Sequence, residues 1–194
     1  MTRVICTVGY PASGKSVFKT IAESEGIQTV TMGDHVRTRA NVAYDQQYPE
    51  GDTAENPSLS EFIGEWATDQ RDEHGPEVVA QWVVETIHAE FEEENVVLID
   101  GVRSLKEYRV FQDEFEEAVI VFIDTSFERR LSFIQERGRD GEDTFTADDL
   151  QKRDNREDGW GVSETVRHAD FCVPNTGKLS EFEQHSRRII ELLQ

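Results

Sequence analysis

Five short apolar runs recur along the chain, and stretches with a helical spacing of apolar residues separate them. The runs lie at residues 4–8, 28–32, 95–99, 118–123 and 171–173. Because strands that alternate with helices pair side by side in the same direction, this order predicts an α/β domain with a parallel sheet. We expect residues 1–194 to form a single domain.

Helical spacing is clearest in three segments. A capping-box pattern at Ser58 and Glu61 opens the first, a second begins near Pro76, and a third covers about residues 180–193, with Leu179 predicted to face inward. Residues 43–57 are polar and contain two prolines, which predicts a long loop.

The first apolar run leads into a phosphate-binding motif. Residues 9–16 match G-x-x-x-x-G-K-[ST] without a break, and an amphipathic helix follows. Glycines let the backbone N–H groups turn toward one phosphate chain, and the helix presents its positive end there. A strand-to-helix turn without function is the alternative. We expect ATP to bind at Gly9, Tyr10, Pro11, Ala12, Ser13, Gly14, Lys15 and Ser16.

The third apolar run ends in a carboxylate. Asp100 follows residues 96–99, and a carboxylate at the end of a strand beside a phosphate loop can hold Mg²⁺. We therefore expect Ser16 and Asp100 to serve the metal. The alternative is that Asp100 only caps the next turn.

Arginines are concentrated where the predicted sheet would bind its ligands. Arg37 and Arg103 both follow strand ends. Six more arginines occur in a short stretch of an otherwise acidic chain, in which residues 137–160 are predicted to close as a lid. A solvated helix face of mixed charge is the alternative. The six are Arg129, Arg130, Arg137, Arg139, Arg153 and Arg156.

Composition limits the partners and the compartment. The chain has 40 acidic and 20 basic residues, a formal net charge of −20. Such a surface disfavours nucleic acid as a partner, and no apolar stretch is long enough to cross a membrane. Without a signal-peptide pattern we expect a cytoplasmic protein. Cys6 and Cys172 lie in apolar runs and are expected to be buried thiols.

Several of these segments resemble elements of the nucleoside-monophosphate kinase superfamily. Residues 33–37, with Asp34 and Arg37, are similar to the Gly-Asp-x-Leu-Arg element of adenylate kinases. Residues 98–103 resemble their Leu-Asp-Gly-Phe-Pro-Arg element, one residue shorter before Arg103. Residues 169–179 are similar to the C-terminal segment of dephospho-CoA kinases, which implies base contacts for Asn175 and Gly177.

Over nearly its whole length the chain looks most like an archaeal family of predicted P-loop kinases. The resemblance implies a P-loop NTPase fold with five parallel strands in the order 2-3-1-4-5. Residues 41–75 match neither the adenylate kinases nor the dephospho-CoA kinases clearly. We expect them to form a helical insertion on the side of the phosphoryl acceptor.

The resemblance implies a kinase that transfers the γ-phosphoryl of MgATP to a nucleoside monophosphate or to an acceptor of the dephospho-CoA type. Arg37 and Arg103 would bind the acceptor, and Lys15 and the lid arginines would stabilise charge on the moving group. The lid arginines are Arg130, Arg137, Arg139, Arg153 and Arg156. Asp34 would take a proton from a hydroxyl acceptor, or only orient a phosphate acceptor. An ATP-binding switch without a small-molecule acceptor is the alternative. The sequence leaves monomer and homodimer open.

The acidic, lysine-poor composition generates a prediction about salt. It is typical of proteins that work in concentrated salt, where screening removes most of the self-repulsion, and we hypothesise a halophilic archaeal host. We therefore expect the protein to lose near-native circular dichroism at low ionic strength and to keep it in multimolar KCl. Equal circular dichroism in both buffers would contradict the hypothesis.

Overall fold

Five parallel strands form the centre of the molecule. The computed structural model describes residues 2–50, 56–91, 93–137 and 145–194. The strand order is β2-β3-β1-β4-β5, as the resemblance implied, and every pairing is parallel. The strands are β1 (Arg3–Val8), β2 (Gln28–Thr31), β3 (Val96–Asp100), β4 (Glu117–Asp124) and β5 (Phe171–Pro174).

Helices cover both faces of this sheet, so that apolar side chains on both faces are buried. The helices are α1 (Lys15–Ser24), α2 (Met32–Gln47), α3 (Leu59–His74), α4 (Val78–Glu90), α5 (Leu105–Glu114), α6 (Phe127–Arg137), α7 (Ala147–Trp160), α8 (Val162–Thr165) and α9 (Leu179–Leu193).

The central strand shows how the sequence divides between the two faces. Val4, Cys6 and Val8 belong to the core under α4 and α5, whereas Ile5 belongs to the core under α1 and α9. Successive side chains of a strand point to opposite faces, so an almost unbroken apolar run supplies both cores. The carboxyl end of β1 is thereby fixed between β3 and β4.

Three local expectations were wrong. Helix α2 continues through Gln47, because Tyr44 packs edge-on against Phe62 of α3, with ring centroids 5.1 Å apart. Leu179 is 58% exposed at the first position of α9. Cys172 is exposed because β5 is an edge strand, whereas Cys6 is buried as expected.

Among the residues that the structure describes, no helix combines the length and apolar character needed to cross a membrane.

Candidate nucleotide and acceptor site

Lys15 lies across the phosphate loop, which comprises residues 9–16. Its Nζ donates hydrogen bonds to the backbone oxygens of Gly9, at 2.5 Å, and Tyr10, at 2.9 Å. Burial lowers the pKa of Lys15, while the carboxylates of Glu157 and Asp100 oppose that shift. The cation is therefore held against the loop, where few water molecules screen it.

Three other side chains hold the rest of the loop from the protein side. Thr125 and Asn175 donate to the backbone oxygen of Ser13 at 2.7 and 2.9 Å. Arg130 donates to the backbone oxygen of Pro11 at 3.2 Å. Four loop carbonyls thus have side-chain donors that come from four different segments of the chain.

This arrangement orients the loop toward an anion. In a trans peptide the N–H points opposite to the preceding C=O, so the held carbonyls of Gly9, Pro11 and Ser13 leave the following N–H groups directed outward, whereas Pro11, which follows Tyr10, has no N–H. The N–H groups of Lys15 and Ser16 also come before the first turn of bonds in α1, which begins where Val17 and Phe18 donate to the oxygen of Gly14. Both features are those of a phosphate-binding helix start.

Gly14 is required at the join between the loop and α1. Its φ of 106° is in the left-handed region, and a Cβ there would lie 2.7 Å from Nδ2 of Asn175. Ala12 is also left-handed, with φ of 61°, a conformation that costs a residue other than glycine roughly 1–3 kcal/mol. Asn175 therefore supports the loop backbone directly.

Asp100 lies at the carboxyl end of β3, beside the loop. Its Oδ1 accepts a 2.7 Å hydrogen bond from Thr7, its register partner on β1. No hydrogen bond to Oδ2 is found within the described residues. A carboxylate and the exposed Ser16 hydroxyl are the hard oxygen donors that Mg²⁺ prefers, so these residues fit the metal.

In the part of the chain that the structure describes, no group of three or more His, Cys, Asp or Glu side chains could hold a metal ion. A magnesium ion at Ser16 and Asp100 would therefore need phosphate oxygens or water to complete its shell.

Helix α7 is fastened to the phosphate loop at two positions one turn apart. Arg130 of α6, bonded to the loop at Pro11, forms a bidentate ion pair with buried Asp154, at 2.8 and 2.6 Å. The hydroxyl of Tyr10 donates to Asp158 at 2.6 Å. Most of the predicted lid is thus a helix docked on the loop.

A cavity of about 230 Å³ lies between α2, α3, α7 and the end of β3. We call it the arginine cavity, because five guanidinium groups line it and Glu157 is the acidic residue among its described lining. The lining consists of Pro11, Gly33, Val36, Arg37, Ser60, Ile63, Gly64, Ala67, Arg71, Arg103, Arg153, Arg156, Glu157 and Trp160.

Arg71 was missed by the sequence analysis. It is buried in α3, donates to Glu107 at 3.0 Å and lies over the Trp160 ring, 4.6 Å from the centroid. Its one signal in the sequence is its position four residues after Ala67, which places a charge on the apolar side of the helix.

Arg156 of α7 packs against Gly64 of α3, which has no side chain. A Cβ at Gly64 would lie 2.0 Å from a terminal nitrogen of Arg156. Glycine inside a helix costs about 1 kcal/mol relative to alanine, so this close approach accounts for its presence.

Arg37 reaches the cavity from α2, and its guanidinium pairs with Asp34 at the surface. Asp34 itself, 55% exposed, does not line the cavity in the described part of the chain.

A second cavity, of about 260 Å³, lies on the other side of the phosphate loop. We call it the apolar cavity. Arg129 crosses its edge, donating to the backbone oxygen of Gly177 and stacking on Phe133, 4.8 Å from the ring centroid. The lining consists of Ala12, Gly14, Ser16, Val17, Arg129, Phe133, Arg137, Asn175, Leu179 and Phe182.

The predicted lid arginines do not converge on one point. Arg153 and Arg156 line the arginine cavity, Arg137 lines the apolar cavity, and Arg130 is buried in its pair with Asp154. Arg130 therefore holds α7, because its charge is already neutralised by a carboxylate. Arg139 lies outside the described residues.

Sequence comparison finds close similarity to archaeal proteins over almost the whole chain. A UPF0200 protein from Methanoregula boonei is 37% identical over 190 residues, which is 98% of this chain and 95% of the relative. A UPF0200 protein from Hyperthermus butylicus is 35% identical, with 98% and 94% covered. One from Halobacterium salinarum is 32% identical, with 97% and 92% covered. No family model matches the chain.

Structural comparison finds the same fold in several solved structures. TT1252 from Thermus thermophilus has a TM-score of 0.64 and 17% identity, covering 100% of this chain and 98% of that one. Dephospho-CoA kinase from Campylobacter jejuni has a TM-score of 0.56 and 15% identity, covering 99% and 98%. Shikimate kinase from Bacteroides thetaiotaomicron has a TM-score of 0.54 and 13% identity, covering 99% and 98%.

The ion pair that docks α7 generates a stability prediction. Asp154→Asn leaves Arg130 buried without a counter-ion, so we expect the free energy of unfolding to fall by about 3–5 kcal/mol in urea titrations. The double variant Arg130→Met with Asp154→Leu recovers most of that loss. Asp148→Asn, an exposed change on the same helix, costs less than about 1 kcal/mol. Equal losses for Asp154→Asn and Asp148→Asn would contradict the buried ion pair.

Proposed function

The chain belongs to the UPF0200 family, and from its P-loop kinase fold and the two cavities beside the phosphate loop we propose that it is a phosphotransferase. It transfers the γ-phosphoryl group of MgATP to a small, anionic, nucleotide-like acceptor. The candidates implied by the resemblance are a nucleoside monophosphate and an acceptor of the dephospho-CoA type.

The observation that carries this proposal is the position of the two cavities relative to β1. Apart from Pro11 of the loop and four residues of α7, the described lining of the arginine cavity comes from segments that follow β2 and β3, on one side of β1 in the sheet. Apart from four residues of the loop and α1, the described lining of the apolar cavity comes from segments that follow β4 and β5, on the other side. A donor and an acceptor on either side of one phosphate loop is the arrangement that direct transfer needs.

On the donor side, the apolar cavity suits a nucleotide base. Phe133, Leu179 and Phe182 offer apolar surface, and Asn175 and Gly177 supply polar groups at its edge. Lys15 would leave the carbonyl oxygens of the loop and bind phosphate oxygens. Magnesium at Ser16 and Asp100, when bound, would supply charge neutralisation on those phosphates.

On the acceptor side, the arginine cavity is a cationic site on a protein of net charge −20. A planar guanidinium pairs bidentately with phosphate and carboxylate oxygens, so this lining selects an anionic acceptor. Arg103 lies beside Asp100 at the end of β3. It is therefore suited to contact the transferred group.

The alternative is an ATP-binding switch that hydrolyses ATP without an acceptor. Such a protein has no need of a second cavity with five guanidinium groups, whereas catalysis of phosphoryl transfer consists of positioning and charge stabilisation by such groups. The cavity therefore favours the kinase.

This proposal predicts ATP consumption that depends on an acceptor. In concentrated KCl with Mg²⁺, ADP formation is measured with AMP, CMP, UMP, GMP, nucleosides and dephospho-CoA. We expect at least one anionic acceptor to stimulate it, and Lys15→Ala to lower the rate by about 10²–10³-fold because a phosphate-binding cation is removed.

Lys19→Ala is the matched control, because Lys19 lies one turn further along α1 and bonds to Thr31. We expect its ADP formation to stay close to that of the wild type. Binding of ATP without stimulation by any acceptor would overturn the kinase and favour the switch.

A further inference from the structure

Glu157 is the acidic residue among the described lining of the arginine cavity. It lies on α7, its side chain is only 14% exposed, and its Oε1 is 3.6 Å from Nε of Arg103. That Nε is buried and has no hydrogen-bond partner. The carboxylate is thus close to Arg103 without a hydrogen bond to that nitrogen.

The charged groups that face Glu157 come from several elements. Lys15 of the phosphate loop, Arg71 of α3 and Arg103 after β3 attract it, and Asp100 acts on Lys15 from the same edge of the sheet. Arg153 and Arg156 flank it on its own helix. The carboxylate therefore lies among the cations that would surround the transferred phosphoryl group.

The docking of α7 fixes the direction in which Glu157 points. Asp154 and Asp158 face the loop and hold the helix at two positions. Glu157 lies beside them, on the face that also carries Trp160 into the arginine cavity. The other carboxylate considered for proton transfer, Asp34, pairs with Arg37 at the surface.

We propose that the acceptor is an alcohol that carries a separate anionic group, and that Glu157 is the catalytic residue that takes the proton of its hydroxyl. This inference rests on the proposed function and makes its acceptor specific. A phosphate acceptor needs no base, and its nucleophilic oxygen would be repelled by a carboxylate at this position.

The reaction balances without a further reactant. The acceptor oxygen forms a bond to the γ-phosphorus of ATP, and the bond from that phosphorus to the bridging oxygen breaks, so ADP leaves. The hydroxyl proton passes to the Glu157 carboxylate and then to solvent. The product is a phosphate monoester.

The remaining guanidinium groups suit the anionic group of the acceptor. Arg37 of α2 and Arg156 of α7 reach the same cavity from two helices. Arg156 packs against Gly64, where a larger side chain would clash with its guanidinium group. Anchoring the anion at these residues would leave the hydroxyl free to approach Glu157.

The product identifies the acceptor chemistry directly. Wild-type protein is incubated with MgATP and one acceptor at a time. The acceptors are dephospho-CoA, shikimate, gluconate, AMP, CMP and the neutral alcohol adenosine. Phosphorus NMR then separates a monoester, which has no phosphorus–phosphorus coupling, from a phosphoanhydride, which has it. We expect a monoester from an anionic alcohol.

A phosphoanhydride from AMP or CMP would overturn this inference but leave the kinase standing. Faster transfer to adenosine than to every anionic alcohol would also overturn it. Transfer to none of these compounds would remove the proposed function and the inference with it.

The role of Glu157 is tested with whichever acceptor is phosphorylated. We expect Glu157→Gln to lower kcat by about 10²–10⁴-fold, with little change in the KM of the acceptor. The rate of the wild type falls at acid pH because the base becomes protonated, and we expect this fall to be absent in Glu157→Gln. Asp148→Asn, an exposed change on the same helix, keeps the wild-type pH profile. Circular dichroism and ATP binding confirm that each variant is folded.

If Glu157 only balanced the charges of Lys15, Arg71 and Arg103, Glu157→Gln would change KM or stability. The rate would still fall at acid pH. That result for Glu157→Gln, or loss of the acid fall in Asp34→Asn instead, would overturn the assignment.

Discussion

The whole site depends on how the carbonyl groups of the phosphate loop are held. Side chains from α1, α6 and the segments after β4 and β5 donate to the backbone oxygens of residues 9, 10, 11 and 13. A trans peptide that gives its oxygen to the protein directs the next N–H away from it, which applies to the N–H groups of Tyr10, Ala12 and Gly14 but not to Pro11, which has none. The parallel sheet makes this possible, because it brings the carboxyl ends of β1, β4 and β5 to one edge.

Helix α7 extends that constraint from the loop to the second cavity. Its buried ion pair with Arg130 and its bond to Tyr10 attach it to the same loop. With α7 docked in this way, Arg153, Arg156 and Glu157 line the arginine cavity. A chain with twice as many acidic as basic residues thereby gathers five guanidinium groups at one place, which is the strongest sign of an anionic ligand.

Much of the fold and half of the site could be predicted from the sequence, for reasons that differ between residues. The strands and the phosphate loop have local signals: apolar runs, glycines at fixed offsets, and Lys15 beside Ser16. The ion pair of Arg130 with Asp154 joins residues 24 apart, and no periodicity indicates that both are buried. Arg71 and Glu157 were not distinguished from surface charges, because only the packing of α3 and α7 gives them an interior position.

Donor and acceptor are proposed to bind on opposite sides of one phosphate loop. A crystal structure with Mg²⁺ and a non-hydrolysable ATP analogue would show which cavity takes the nucleotide. We expect the base in the apolar cavity beside Asn175 and Phe182, the terminal phosphate at Lys15, and an arginine cavity still open to a second ligand. A base bound in the arginine cavity, between Arg37 and Trp160, would contradict it.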